Sequence, residues 1–320
     1  AVVCGGILMD SVVTAEGAVN EGALGGNAVY AAAGLRLWLG PERVGIVGHV
    51  PATFPAGLLD RLRRAGIRTE GIHRSAMRVR GPEWFVYASD GSRRDELSAP
   101  SDGDADPDFP TFRRAHPVRL THVPQAWQAA LGLHLAGNDP DALLELARAM
   151  PTARITLDPG ARAQDLARYP DRDRVLSLVT AAIPSLKELA ILAPGLEEEA
   201  ALTALQDRGA PIALVKRGSQ GVLLREALGR LTAIPALSVA APDPTGAGDS
   251  FCGGFLAGLM LSRDPVTAAC MGTVAASFAV AGFGPDALLE ATESLRDQRL
   301  ADLSARLGQT PTLLTGTSLS

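Results

Sequence analysis

With 320 residues, 47% of them hydrophobic, the chain can bury the core of one large α/β domain, or of a domain with a small appendage. A net charge of −5 with no block of Lys or Arg argues against nucleic acid as a partner. No apolar run has the length of a membrane span. Cys4, Cys252 and Cys270 lie in apolar or Gly-rich segments that suit reduced core thiols, so a cytoplasmic location is expected.

Taken in order, Ala1 to Met9 reads as one buried first strand, opening the chain without a signal peptide. It ends at Asp10, and open α/β sheets bind ligands at the carboxyl ends of strands. Position alone leaves Asp10 either a turn residue or a ligand residue. Val12 to Ala23 is alternating and Gly-punctuated, which suggests short strands outside the main sheet. Gly25-Gly26-Asn27 then opens an Ala-rich helix that runs to about Gly40. Val44 to Val47 predicts a strand, Phe54 to Ala65 a helix stopped by Gly66, and Thr69 to His73 another strand. Glu83 to Ser89, followed by Asp90-Gly91, is a hairpin signal that brings Trp84, Phe85 and Tyr87 together. Asp102 to Pro110 is acidic and Pro-rich and reads as a surface loop.

From Arg119 the pattern alternates. We expect a strand at Leu120 to Val123 with a helix to Leu135, and a helix at Asp139 to Met150 with a strand at Ile155 to Leu157. Next come a strand at Leu178 to Ile183 with a helix from Leu186, and a helix at Glu197 to Arg208 with a strand at Ile212 to Val215. Such alternation argues for a parallel, doubly wound sheet. Helices are expected at Asp264 to Val280 and Asp286 to Arg306, and 309–320 reads as a loose tail. The five histidines, His49, His73, His116, His122 and His134, look scattered and show no metal-ligand spacing, so ordinary structural roles are expected.

The chemistry concentrates between Pro242 and Phe255. A strand-like run, Leu237 to Ala241, meets two prolines, then a Thr245-Gly246-Ala247-Gly248 turn, then a helix to Leu261. The glycines permit backbone angles closed to other residues. The first amides of the new helix lack partners within it and point outward, with the helix dipole adding positive charge, so the turn suits phosphate oxygens. Asp249 is out of place there as a phosphate ligand, because a carboxylate repels phosphate. It either caps the helix or accepts a proton from an attacking hydroxyl. Only Lys187 and Lys216 are lysines, and the Walker pattern is absent. Neither Gly5-Gly6 nor Gly45 to Gly48 completes a Gly-x-Gly-x-x-Gly fingerprint, which makes a dinucleotide oxidoreductase a poor fit.

Asp243, Thr245, Gly246, Ala247, Gly248, Asp249, Phe251, Gly253 and Gly254 together resemble the second signature of the ribokinase-like (PfkB) carbohydrate kinases, with Pro244 where the family often has Thr. Gly25-Gly26-Asn27 with its Ala-rich helix resembles the first signature, except that Tyr30 stands where Asn is usual. The resemblance covers nearly the whole chain. It implies a ribokinase-like α/β fold over 1–308, a three-layer, doubly wound, mostly parallel sheet with a small β lid built from strands within about 11–24 and 83–98. The implied reaction moves the γ-phosphoryl group of ATP to a hydroxyl of a sugar-like substrate. Asp249 would be the base, and the amides of Gly246, Ala247 and Gly248 would hold the transferring group.

Carried over residue by residue, the resemblance assigns Asp10, Gly25, Gly26, Asn27, Tyr30 and the hairpin's Trp84 to the acceptor. Lys216, Gly218 and Gly221 resemble the nucleotide loop, and Gly282 and Gly284 lie where the family closes over the nucleotide. Pro184-Ser185-Leu186-Lys187-Glu188 resembles the Asn-x-x-Glu motif with Ser185 in place of Asn, so Glu188, with Asp243, is assigned to the metal. Asp158-Pro159-Gly160-Ala161-Arg162 is a partial match to an Asp-Pro-Asn-x-Arg turn. ATP and Mg2+ are the implied cofactors. A monovalent cation such as K+ and a homodimer through the lid are compatible with the resemblance. Two rival readings stand beside the sugar kinase: a nucleoside kinase of the same fold, with Tyr30 and Trp84 stacking on a base, and a non-catalytic sugar or nucleotide sensor.

Overall fold

The computed structural model describes residues 1–88, 93–97 and 106–308. Its strands are β1 (Val2–Cys4), β2 (Leu8–Val13), β3 (Val19–Gly25), β4 (Val44–Val50), β5 (Ile67–Arg74), β6 (Glu83–Tyr87), β7 (Arg93–Leu97), β8 (Gly132–Ala136), β9 (Arg154–Asp158), β10 (Ala181–Ala182), β11 (Ile212–Lys216), β12 (Val222–Arg225) and β13 (Leu231–Ile234). Its helices are α1 (Asn27–Leu39), α2 (Ala56–Arg64), α3 (Phe109–Ala115), α4 (Pro140–Ala149), α5 (Ala163–Arg168), α6 (Arg172–Leu178), α7 (Leu186–Leu192), α8 (Glu198–Asp207), α9 (Ala247–Leu261), α10 (Pro265–Ala279), α11 (Asp286–Leu289) and α12 (Glu293–Arg306).

Nine strands form the main sheet in the order β13-β12-β11-β10-β9-β8-β1-β4-β5. From β5 to β11 every pairing is parallel, and β12 and β13 add an antiparallel edge. The expected α/β architecture is therefore present. The order reverses beside β1: the chain moves outward through β4 and β5, then returns to β8 on β1's other side. In open sheets that reversal marks where ligands bind, at the strands' carboxyl ends. A second sheet, ordered β3-β2-β6-β7, stands over that end.

Apolar side chains from the two faces of the main sheet form two cores. One packs β1, β4 and β11 to β13 against α1, α9 and α10. The other packs β8, β9 and β11 against α4, α6, α7 and α8. Helices α1, α9 and α10 approach closely because small residues face each other. A Cβ on Gly253 would overlap the carbonyl of Ala31, and one on Gly258 would overlap Ala268. This packing fixes the first turn of α9, which carries Asp249.

Several expected elements differ. The first strand is two, broken at Gly5-Gly6, so that β1 joins the main sheet and β2 the second. Leu120 to Val123 is not a strand: Leu120–His122 is a 3-10 turn, and Pro124, which cannot donate to a ladder, closes it. The helix expected up to Leu135 is also absent. A second 3-10 turn (Gln125–Trp127) is followed by β8, whose apolar run is a central strand buried on both faces. Leu178 to Ile183 splits between the end of α6 and the two-residue β10. Leu237 to Ala241 forms no ladder. Strand β13 ends at Ile234, and Pro235 has no N–H to extend it. Asp286 to Arg306 breaks where Thr292 caps α12, its side chain accepting from the amide of Leu295. The acidic loop's 102–105, the hairpin turn at Asp90-Gly91 and the tail 309–320 lie outside the described residues, whereas Phe109 and Pro110 already begin α3, capped by Asp108.

The histidines are not scattered. His49, His73, His116 and His122, from four different segments, gather with ring centroids 4.4 to 5.7 Å apart.

Candidate active site

The glycine turn sits over the carboxyl end of the main sheet. Asp243 Oδ1 accepts the Thr245 amide at 2.9 Å, an Asx-type bond that shapes the entry. Gly246 is left-handed (φ 75°) and caps α9. It must be glycine twice over, since a Cβ there would also overlap the Tyr30 ring. The Ala247 amide donates to the Pro244 carbonyl at 3.3 Å. The expectation that Gly246, Ala247 and Gly248 hold an anion together is thus narrowed, because Ala247's donor is already engaged within the turn.

Asp249 lies in the first turn of α9, partly open to the cleft. Burial, then the negative charges of Asp158 and Glu188, push its carboxyl up to about 7, while Lys216 and Arg93 pull the other way. A carboxylate with that proton affinity is suited to exchange a proton with a hydroxyl near neutral pH.

Beneath the turn lies a polar cluster fed by three adjacent strands. Asp158 ends β9 and Lys216 ends β11. The Lys216 ammonium donates to Asp158 Oδ2 and, at 3.7 Å, to Cys252 Sγ. Asp158 Oδ1 accepts the Gly160 amide at 3.2 Å. Although burial opposes it, the Lys216 charge holds Asp158 below the usual carboxylate range, and Asp158 in turn holds Lys216 well above the usual ammonium range. Glu188 is near enough to feel both, and burial raises its carboxyl. Its Oε2 accepts the Ser185 amide at 2.7 Å while Ser185 Oγ accepts the Glu188 amide at 3.4 Å, a capping box at the start of α7.

Across the cleft, Asp10 on β2 is buried, and its Oδ1 has no hydrogen-bond partner. Burial first, then the neighbouring Glu83, push this carboxyl well above the usual range, with the Gly26 amide opposing them. Gly25 is glycine because a Cβ would overlap the Asp10 carboxylate. Asn27, the first residue of α1, spends its Oδ1 on the Gly6 amide at 2.7 Å. Tyr30 is only 1% exposed and lies against the turn with Asp10, Asp243 and Asp249 in its surroundings.

Alternation along β6 sorts the hairpin aromatics. Glu83, Phe85 and Tyr87 share one face, and Trp84 and Val86 the other. Glu83 pairs with Asp10 and Trp84 with Ser11. The hairpin residue that reaches the glycine turn is Tyr87, whose hydroxyl bonds Thr245 Oγ1 at 2.9 Å. Trp84 lies on the opposite face, beside Ser11. Arg93 of β7 stacks over Phe85 at 4.6 Å, on the Tyr87 side. Phe283, from the 281–285 loop, packs into the cluster of Phe85, Phe109 and Phe112, with Tyr87 beside it. That loop places Gly284 (φ 66°) near Ala23 and Leu24, and Gly282 beside Ala287. On the nucleotide side Gly218 (φ 58°) faces open space, while Gly221 is required by the close approach of the Ile234 carbonyl.

Among the described residues no group of three or more His, Cys, Asp or Glu is arranged to hold a metal, and no helix is long and apolar enough to cross a membrane.

A model of the pfkB family of carbohydrate kinases matches residues 7–292. The chain belongs to that family. It is 26% identical over 270 residues to a cytidine kinase of Thermococcus kodakarensis, covering 82% of this chain and 89% of that protein. Among solved structures it matches an E. coli protein assigned as ribokinase II in complex with ATP and Mg2+ (TM-score 0.70, 20% identity, 94% of this chain and 98% of that one). It also matches a Burkholderia thailandensis nucleoside kinase in complex with inosine (TM-score 0.70, 19% identity, 97% and 99%). These structural likenesses speak to the fold. Family membership makes this pfkB chain a sugar or nucleoside kinase.

Sequence reasoning passed over Glu83, Tyr87, Arg93 and the role of Asp158. The period-2 pattern of β6 could have separated Tyr87 from Trp84. No local signal reveals that Lys216 reaches Asp158.

Proposed function

We propose that this chain transfers the γ-phosphoryl group of ATP to a hydroxyl of a small sugar-like molecule, with Asp249 as the general base. The observation that carries the reading is the placement of Asp249, with a proton affinity near neutrality, in the first turn of a helix that opens on a glycine anion turn. Asp10 is suited to hold the acceptor, since a buried carboxylate oxygen without a partner is stabilised by a donated hydroxyl. Asp249 removes the proton of the attacking hydroxyl. The amides of Gly246 and Gly248 and the α9 dipole offset the negative charge of the phosphoryl group as it moves.

The donor set fits the implied cations. Asp243 Oδ2 is buried without a partner, and Glu188 commits only Oε2 to its cap. A site with so few protein ligands suits magnesium, which keeps most of its waters and binds largely through nucleotide phosphates. Magnesium, when bound, supplies charge neutralisation on the phosphate oxygens. Asp243 is the candidate for a monovalent cation. Three free, buried cysteines suit a reducing compartment, as expected of a cytoplasmic enzyme.

A nucleoside acceptor is the second reading. It is favoured by the apolar shelf of Phe85, Tyr87 and Phe283 beside the cleft and by the cytidine-kinase relative. The test is a panel of sugars, sugar acids and nucleosides assayed with ATP and Mg2+ on the wild type and on Asp249→Asn. We expect one class to be phosphorylated, and the variant to lose at least ~10²-fold in kcat while still binding ATP. Near-normal turnover by the variant would remove Asp249 as the base.

A further inference from the structure

The Lys216–Asp158 pair bridges an unusual span. Strands β9 and β11 are separated by β10, so their end residues stand about two strand spacings apart, roughly 9–10 Å. Past β10 the chain still runs beside β11, with Ser185 bridging Lys216 and the Lys216 amide donating to the Pro184 carbonyl, so the Lys216 side chain reaches Asp158 across the segment that leads into α7. On the way it lies along α9. Its ammonium and last two carbons would be 3.5 to 3.7 Å from a Cβ on Gly248, and the ammonium meets Cys252 one turn further on. Asp158 sets the end point.

Both side chains are largely buried, Lys216 12% exposed and Asp158 4%. The ammonium lies against the first turns of α9, beside Gly248 of the glycine turn and Cys252. In a chain whose basic residues are otherwise nearly all arginine, the lysine at this point presents a compact ammonium with three donors where arginine would present a planar fork.

We propose that Asp158 is a positioning residue for phosphoryl transfer: it holds the Lys216 ammonium against the Gly248–Cys252 face of α9, where that charge faces the phosphoryl group in flight. The proposal rests on the kinase reading above. Asp158 touches neither substrate nor nucleotide and acts only through Lys216. Its carboxylate is fixed at both oxygens, by the Gly160 amide on one side and by Lys216 and the Cys252 thiol on the other, so the anchor is rigid.

The test uses the full chain with three variants: Asp158→Asn, Lys216→Met and the double substitution. Thermal melts first establish folding. The double variant matters because removing both charges leaves none stranded in the interior, which is the usual reason that single changes to a buried pair unfold a protein. Two readouts follow. One is kcat and the ATP KM with the best acceptor of the panel. The other is affinity for ADP with Mg2+, with and without aluminium fluoride as a planar mimic of the transferring group.

We expect Asp158→Asn to lower kcat by roughly tenfold or more, less than the ~10²–10³-fold of removing a donor outright because the ammonium is displaced and not deleted, with the ATP KM little changed. The preference for aluminium fluoride over ADP alone should fall in parallel. The double variant should fold and stay slow. If Asp158→Asn folds and keeps both kcat and the aluminium fluoride preference, the inference is overturned and the kinase reading survives. A double variant with wild-type kcat overturns it equally, since the pair would then be a fold contact alone. Absence of turnover by the wild type across the whole panel overturns the kinase reading, and this inference with it.

Discussion

Tyr87 and Thr245, 158 positions apart in the chain, join their hydroxyls at 2.9 Å, and this bond ties the second sheet to the turn that precedes Asp249. It is a polar contact between the two bodies that enclose the cleft. Tyr87→Phe removes it while keeping the ring in its apolar cluster. A net hydrogen bond is worth about 0.5–1.5 kcal/mol, which corresponds to a roughly two- to tenfold loss in kcat/KM for the acceptor. Trp84→Ala, on the other face of the same strand, should leave that constant unchanged. Steady-state kinetics on the two variants decide the matter, and equal effects would mean that face makes no difference.

The contrast between those two aromatics shows what could be read from the chain alone. The glycine turn, the helix that follows it and the Ala-rich α1 are local patterns, and each appears where its residues predicted it; the α/β alternation appears too, but not between Leu120 and Leu135 and only in part at Leu178 to Ile183. The hairpin was also legible, but which of its rings reaches the turn depends on which face of β6 points inward, and that is set by the pairing of Glu83 with Asp10. Asp158 and Lys216, 58 positions apart, come from strands that are not neighbours in the sheet. The four histidines meet because β4, β5 and the segments after α3 converge. None of these meetings leaves a trace at short range. Leu120 to Val123 failed for a different reason: a short run between Pro117 and Pro124 fits a strand and a 3-10 turn equally well, and packing chose.

Gly246→Ala should be among the most damaging single changes in the protein. The residue is left-handed, and its Cβ would overlap the Tyr30 ring, which at 1% exposure has little room to move. Strain at φ 75° and a clash beneath the turn add together. Turnover should fall by at least ~10²-fold, the scale of losing an oxyanion donor, and the melting temperature should drop as well. Tyr30→Ala in the same background should recover melting temperature more than activity, because it relieves the clash but not the backbone strain. Differential scanning fluorimetry beside the kinase assay would show the split.

The pH dependence of the reaction follows from Asp249. As a base it works only when deprotonated, and burial with the charges of Asp158 and Glu188 raises its carboxyl to about 7. Thus kcat/KM should rise with pH and level off above about 7, about three pH units higher than for an ordinary aspartate. The stability contribution has the opposite slope. A carboxyl with a raised folded-state value favours folding at low pH, and that contribution is lost as pH rises through about 7. A pH–rate profile flat between 5.5 and 8 would show that proton transfer from Asp249 does not limit the reaction.

The histidine cluster should make the fold acid-sensitive, through His49 above all. Burial, then the neighbouring His122, His116 and His73, lower the His49 imidazole to about 4, and its Nδ1 is buried without a partner. His122 is lowered too, by burial and then by His73, and its Nδ1 accepts the Arg119 amide at 2.9 Å, so a proton there displaces a turn. Glu145 and Arg119 also face His122, with opposing effects. Between about 6.5 and 4 the unfolded chain binds protons that the folded cluster refuses, so this contribution to stability is present above 6.5 and is lost as pH falls toward 4. Asp10 and Asp249, raised rather than lowered, act the other way, so the cluster must be isolated by difference. His49→Gln cannot take up the proton, and its melting temperature should fall less than the wild type's across that window. A drop of about 2–4 °C per kcal/mol is the scale for a chain of this size or somewhat smaller. Parallel curves for the two proteins would mean that His49 binds its proton equally well folded and unfolded, and the four rings would then be packed side by side without consequence for acid stability.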